Sequence, residues 1–212
     1  MLEKPVMRLA TVVLALLLAA CGAAAPQAIP APPPTGEAPR GKPVEPVQPA
    51  PDFTLTDQQG RPFRLADQQG SVVVLYFGYT NCPDVCPLTT GLLANASKQL
   101  GDSVGSVRFV FVTADPARDT AARLGEFLGR FSWAPGAAYY GLSGSEPALT
   151  PIWNAYNVGV AKGPITDGNY AVNHSARVWL IDRQGQLRLY HLLGATADSF
   201  VNDIRWLLRQ PA

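Results

Sequence analysis

The sequence predicts an α/β fold in which helices cover both faces of a central mixed β-sheet. Two apolar runs rich in β-branched residues, at 71–77 (SVVVLYF) and 107–113 (VRFVFVT), are typical of strands buried on both faces. Segments with helical spacing alternate with these runs, and a strand hairpin precedes the last helix. The chain has 212 residues, so the part after residue 50 suffices for one such domain and is too short for two.

The first half of the domain begins with a β-hairpin. Its strands, 51–57 and 61–65, flank the turn Gln58-Gln59-Gly60. The elements that follow are a strand at 71–77, a helix from about Cys86 to Leu100 that stops at Gly101, and a strand at 107–113.

The second half continues the alternation and ends on a hairpin and a helix. The predicted elements are a helix at 120–131, a short strand at 137–141, a helix at 146–156 with Ser145 as candidate cap, a loop or irregular hairpin at 158–172, strands at 177–182 and 186–190, and an amphipathic helix at 198–209. The turn Arg183-Gln184-Gly185 joins the last two strands.

Residues 1–20 have the features of a lipoprotein signal peptide. Lys4 and Arg8 precede an apolar run at 9–20 that is short for a membrane-spanning helix. The run ends in Leu18-Ala19-Ala20-Cys21, which resembles the bacterial lipobox, where the cysteine is lipidated and becomes the first mature residue. An uncleaved membrane anchor is the alternative. We expect an exported protein, lipid-anchored to a bacterial membrane and facing the periplasm or the cell exterior.

Residues 21–50 predict a tether. Nine prolines and many alanines lie in 22–50, a composition that buries too little apolar surface to fold alone. We therefore divide the chain into a signal peptide (1–20), a lipidated cysteine with a Pro/Ala-rich tether (21–50) and a folded domain (51–212).

The composition limits both partners and ligands. The 17 Lys and Arg residues nearly balance the 16 Asp and Glu residues, and no stretch of the domain is strongly basic, which excludes nucleic acid as an expected partner. Both methionines lie before residue 20. The soft-metal ligands that remain after processing are Cys21, Cys82, Cys86, His174 and His191.

The motif Thr80-Asn81-Cys82-Pro83-Asp84-Val85-Cys86-Pro87 lies where a central strand meets a helix. Ligands of open α/β sheets bind beyond the carboxyl ends of strands. A helix N-terminus stabilises thiolate, so we expect both thiols to be more acidic than a free cysteine. A spacing of four puts the sulfurs on one face. A soft metal site, a redox couple and a static disulfide all remain open, although a disulfide closing so short a loop would stabilise little.

This motif resembles the signature of the Sco/SenC family of copper proteins. The segments 112–120 and 173–175 resemble two further family blocks, in the same order. The resemblance implies a thioredoxin-like α/β/α sandwich that binds one Cu(I) or Cu(II) ion through Cys82, Cys86 and His174. It implies delivery of copper to the dinuclear centre of cytochrome c oxidase. The oxidase subunit that holds this centre would be the partner, with a periplasmic copper carrier or thiol reductase as another. One departure is Asn173, where Asp is common.

The donor set agrees with copper on chemical grounds, because Cu(I) accepts three soft ligands whereas structural zinc normally takes four. The alternative is a membrane-tethered thiol–disulfide reductase that uses Cys82 and Cys86 to keep the target's copper-ligand cysteines reduced. Three residues between the cysteines and no proline before the strand at 177–182 weigh against it. We expect a metallochaperone rather than an enzyme.

For most of the other residues near these motifs we expect a structural role. Asp84 either tunes the thiolates or caps the helix, and Tyr79 either shields a metal or packs. The expected structural residues are His191 and the internally paired Asp115, Arg118 and Asp119. The tryptophans are expected in the core or at an interface: Trp133, Trp153, Trp179 and Trp206.

Overall fold

The computed structural model describes residues 38–166 and 169–211. The predicted signal peptide and Cys21 lie outside these ranges. No helix within them is long and apolar enough to cross a membrane. The elements are β1 (Lys42–Pro49), β2 (Thr54–Thr56), β3 (Pro62–Arg64), β4 (Val72–Gly78), α1 (Val85–Gln99), β5 (Val107–Thr113), α2 (Ala121–Gly129), β6 (Ala138–Leu142), α3 (Glu146–Ala155), β7 (Ala161–Lys162), β8 (Val172–Asn173), β9 (Val178–Ile181), β10 (Gln186–His191) and α4 (Ala197–Leu208).

Six strands form a central mixed sheet in the order β1-β10-β9-β4-β5-β6. The pairs β4–β5 and β5–β6 are parallel, whereas β4–β9, β9–β10 and β10–β1 are antiparallel. Every residue of β4 is buried, as its continuous apolar run predicts. The predicted mixed sheet is confirmed.

Helices lie on both faces of this sheet, because successive side chains of a strand point to opposite sides. On one face, Val74 and Tyr76 of β4 join a core with residues of α1, α2 and α4. On the other, Leu75 and Phe77 join a core with α3 and the β2–β3 hairpin. The four tryptophans, Trp133, Trp153, Trp179 and Trp206, belong to these cores or pack against them, as expected.

The strand β1 corrects the predicted domain boundary. The prediction that residues 42–50 belong to the tether is wrong, because Lys42 pairs with Tyr190 and Pro49 with Gln186 at the edge of the sheet. Prolines are tolerated there, since an edge strand leaves one side of its backbone unpaired. The folded domain therefore starts before Lys42 rather than at Pro51.

A buried histidine–aspartate pair fixes the chain where it joins the sheet. The Asp203 carboxylate accepts hydrogen bonds from the backbone N–H groups of Arg40 (2.8 Å) and Gly41 (2.7 Å). It also lies 2.9 Å from Nε2 of the buried His191. A Cβ on Gly41 would stand 2.8 Å from this carboxylate, so a side chain does not fit. His191 is therefore structural, as expected.

The smaller predicted features are largely confirmed. The N-terminal hairpin forms as β2–β3, but as a separate two-stranded sheet. The segment 158–172 contains the short pair β7–β8, and Gly101 ends α1 with a φ of 59°. Ser145 precedes α3 without a side-chain capping bond, whereas Thr120 and Thr196 cap α2 and α4.

Candidate metal centre

The two cysteines of the motif lie at the junction between β4 and α1. Cys86 is the second residue of the helix and is completely buried, whereas Cys82 in the preceding loop is half-buried. Pro87 follows in the first turn, where the missing N–H breaks no helical hydrogen bond. The backbone N–H of Cys86 donates to Cys82 Sγ at 3.4 Å. The helix start thus holds both sulfurs close together.

His174 reaches this junction from the loop between β8 and β9. Its Nε2 lies 3.6 Å from Cys86 Sγ, and its Nδ1 lies 3.3 Å from the Ser175 carbonyl oxygen. A proton on Nδ1 satisfies that carbonyl and leaves the Nε2 lone pair directed at the sulfur. The Tyr79 ring packs edge-on against the imidazole with centroids 5.8 Å apart. The structure therefore brings together two residues that are 88 positions apart.

Burial controls the protonation of both groups. It raises the pKa of the Cys86 thiol to about 12, with hydrogen bonding from Tyr76 and the Tyr79 backbone acting in the opposite direction. Burial also lowers the pKa of His174, which keeps its imidazole neutral and able to act as a ligand. The prediction that both thiols are more acidic than a free cysteine is wrong for Cys86, because desolvation outweighs the helix N-terminus.

The sulfur and imidazole donors of this cluster are the types that a soft metal ion prefers, but the three side chains do not yet converge on one point. Both cysteines are free thiols. In the described ranges, no three His, Cys, Asp or Glu side chains already form a group that could hold a metal ion. Cys82 would therefore have to turn toward the Cys86–His174 pair. The Tyr76 hydroxyl is buried beside Cys86, and its interaction with this sulfur lowers the Cys86 pKa, so it is placed to donate to a thiolate at that position.

A buried carboxylate holds the loop that carries Cys82. Asp119 accepts hydrogen bonds from the hydroxyl of Thr80 (2.6 Å) and from the hydroxyl of Thr113 at the end of β5 (2.7 Å). The predicted ion pair of Arg118 with Asp115 is confirmed, whereas the side-chain partners of Asp119 are threonine hydroxyls. Asp84 is exposed at the start of α1 and makes no capping hydrogen bond, so its tuning role stays a prediction.

Two residues that contact the site, Tyr76 and Gly78, were not predicted from the sequence. Tyr76 belongs to an apolar run that predicts only a buried strand. Gly78 ends the same run, and a Cβ there would stand 2.9 Å from the Phe111 ring and 3.1 Å from Cys86 Sγ. A glycine two residues before the cysteine motif was the available signal, because it marks a close approach of side chains to the backbone.

Comparisons with known proteins identify relatives over the whole described domain. A model of the SCO1/SenC family matches residues 42–209. The mitochondrial SCO2 homolog of Bos taurus is 33% identical over 157 residues, which are 73% of this chain and 58% of that protein's length. This chain thus matches little more than half of that relative.

Solved structures agree with this assignment. Bradyrhizobium japonicum ScoI with copper bound superposes with a TM-score of 0.68 at 31% identity, over 76% of this chain and 99% of that one. A SCO1/SenC family lipoprotein from Bacillus anthracis superposes with a TM-score of 0.68 at 27% identity, over 81% of this chain and 100% of that one. The predicted thioredoxin-like α/β/α fold is confirmed.

Proposed function

The chain belongs to the SCO1/SenC family, and we propose that it is a copper carrier that delivers its cargo to the dinuclear copper centre of cytochrome c oxidase. One copper ion would be held by Cys82, Cys86 and His174. The observation that carries the proposal is the 3.6 Å approach of His174 Nε2 to Cys86 Sγ at the end of β4. The copper-bound relative from Bradyrhizobium japonicum supports the choice of metal.

The burial of the three ligands suits transient binding. Cys86 is completely buried and forms the inner wall of the site, whereas Cys82 and His174 are both half-buried, so an incoming ligand can reach the metal from their side. Two thiolates and one imidazole suit Cu(I) and leave it below four-coordination. Because burial favours the neutral Cys86 thiol, a proton competes with the metal for this sulfur, which favours release as well as uptake.

The location and partners form part of the same proposal. The protein would be exported and lipid-anchored through Cys21, and would meet the copper-centre subunit of the oxidase at a membrane surface. A lipoprotein among the structural relatives supports this location. Another periplasmic copper carrier or a thiol reductase would load or reduce the site.

Thiol–disulfide reduction is the second candidate function, and one contact favours it. The Cys86 N–H donates to Cys82 Sγ at 3.4 Å, which orients the more accessible sulfur at the start of α1. Cys82 would then attack the disulfide of a target, and Cys86 would resolve the mixed disulfide. Each cycle reduces one target disulfide and leaves Cys82 and Cys86 oxidised to a disulfide, so an external thiol reductant must restore the dithiol.

Copper titration of the reduced full chain separates the two functions. Cu(I) and Cu(II) are added in competition with a chelator, to wild type and to His174→Ala, Cys82→Ser and Cys86→Ser variants. We expect wild type to bind one equivalent of copper, and each ligand variant to bind copper with an affinity lower by more than about 100-fold. The control is Asn173→Ala, since Asn173 is exposed beside His174. Absence of binding, or binding unaffected by His174→Ala while a test disulfide is still reduced, refutes the carrier function.

A further inference from the structure

We propose that Arg118 and Tyr170 are positioning residues that hold His174 against Cys86, by fastening the β7–β8 hairpin to the end of β5. We call this set of contacts, made by Asp115, Arg118, Asn169 and Tyr170, the hairpin latch. The proposal rests on the proposed copper-binding function and names residues outside the set of ligands.

The position of His174 depends on a hairpin that is weak by itself. His174 directly follows β8, which pairs with β7 through two residues on each strand, and backbone hydrogen bonds from Gly163 to Ala171 and between Thr166 and Asn169 continue this pairing. This pair forms its own sheet, apart from the central six strands. Isolated two-stranded hairpins are at best marginally stable in water. Beyond the hairpin, the backbone N–H of Ser175 donates to the Val158 carbonyl oxygen at 2.7 Å, which fixes only the C-terminal side of the histidine.

The hairpin latch supplies the missing attachment on the other side. The Tyr170 hydroxyl donates to Asp115 Oδ1 at 2.7 Å, and Arg118 donates to Asn169 Oδ1 at 2.6 Å. The Arg118 guanidinium also stacks over the Tyr170 ring, 3.6 Å from its centroid. Two consecutive residues of the hairpin are thus tied to one arginine–aspartate pair.

The other end of the hairpin latch is rigid. Asp115 is completely buried just beyond β5, and its backbone N–H donates to the Thr113 hydroxyl at 2.8 Å. Arg118 donates from Nε to the second Asp115 oxygen, so the carboxylate serves both the arginine and the tyrosine. Strand β5 pairs in parallel with β4, the strand that leads to Cys86. The hairpin latch therefore fixes the position of the hairpin relative to β4.

Tyr79 adds a contact that links the hairpin latch to the site. Its hydroxyl accepts a hydrogen bond from the Val172 N–H at 3.4 Å, and its ring packs on the His174 imidazole. The Arg118 guanidinium lies 5.9 Å from the centre of the same ring. A displacement of the hairpin would therefore move His174 relative to Cys86, while leaving the two cysteines in place at the start of α1.

Tyr170→Phe is the cleanest test, because it removes one hydroxyl and keeps the ring that stacks on Arg118. We expect copper affinity to fall about three- to tenfold, the factor that corresponds to one ordinary protein hydrogen bond, because Tyr170 is only half-buried. The thiolate-to-Cu(II) absorption should remain, with weaker imidazole nitrogen hyperfine coupling in the electron paramagnetic resonance spectrum. The matched control is Tyr156→Phe, which removes a 2.9 Å hydrogen bond to the Pro51 carbonyl in the opposite core.

An arginine substitution provides the second arm. Arg118→Lys keeps a positive charge beside Asp115 but loses the flat group that stacks on Tyr170. Arg118→Lys should weaken copper binding to the same extent as Tyr170→Phe. Its thermal unfolding midpoint should stay close to that of the control Tyr156→Phe. Equal affinity and equal nitrogen coupling in Tyr170→Phe and Tyr156→Phe would overturn the proposal.

A metal-free readout separates this proposal from the carrier function. In the reduced copper-free chain, the His174 imidazole resonances should broaden or shift in Tyr170→Phe and stay unchanged in Tyr156→Phe. Wild-type protein that binds no copper refutes the carrier function alone. Unchanged imidazole resonances in Tyr170→Phe refute the hairpin latch.

Discussion

The buried Cys86 thiol should react far more slowly than an ordinary cysteine, and this can be measured on the wild-type chain. The perturbation is alkylation of the reduced, copper-free protein by iodoacetamide at pH 7. Only the thiolate attacks the reagent. Raising the pKa from 9.0 to about 12 lowers the thiolate population of Cys86 by about 1,000-fold at this pH.

The more basic thiolate is also the better nucleophile, which recovers part of this factor. With a Brønsted coefficient of about 0.45, the three-unit shift restores a factor of roughly 20, so the net slowing is about 50-fold. The absence of exposed surface on Cys86 slows the reaction further, since the reagent must wait for the site to open. We therefore expect a rate at least about 50-fold below that of a free thiol.

The assay is pulsed alkylation followed by mass spectrometry of the peptide that contains both cysteines, with fragmentation to assign the label. Cys82, half-buried at the mouth of the site, should be labelled first. The Cys86 rate should rise about tenfold per pH unit without levelling off below pH 10. Labelling of Cys86 at the rate of a free thiol, or a plateau near pH 8, would refute the assignment of Cys86 as the buried, protonated ligand.

Three further outcomes follow from the same structure. Asp203→Asn replaces one oxygen of a carboxylate that serves four donors with an NH2 group that cannot accept, and should cost about 2–5 kcal/mol in urea unfolding and release β1 in hydrogen exchange. An unchanged urea midpoint would show that the one remaining amide oxygen suffices. Gly78→Ala forces a methyl group against the Phe111 ring and should cost about 1–3 kcal/mol and weaken copper binding; an unchanged urea midpoint would show that the site relaxes. The raised Cys86 pKa contributes stability that is complete below pH 9 and is lost toward pH 12, so the urea midpoint should fall across that range in wild type and stay flatter in Cys86→Ala.

The fold was predictable where local sequence carries the information. The strands β4 and β5 are continuous apolar runs, and the β9–β10 turn contains Gly185 with a φ of 77°, as a glycine turn requires. The cysteine motif placed the start of α1 to within one residue. These elements depend on the pattern of neighbours along the chain.

The missed features depend on contacts between distant residues. Nothing in the proline-rich segment 42–49 indicates that β10, some 140 residues later, offers it a free edge. A helix N-terminus does favour a thiolate on Cys86, but the desolvation that outweighs it comes from the assembled core around Tyr76. The contact between Tyr170 and Asp115 spans 55 positions and likewise has no local signal.

The start of β1 is fixed both to the sheet and to the last helix. Lys42, Tyr190, Trp179 and Leu75 lie in one row across the sheet, and Leu75 is the middle residue of β4. Just before this row, the Asp203 carboxylate of α4 accepts hydrogen bonds from the backbone N–H groups of Arg40 and Gly41. A force applied to the residues before β1 would therefore load these two hydrogen bonds first, and the pairing of β1 with β10 only after they break.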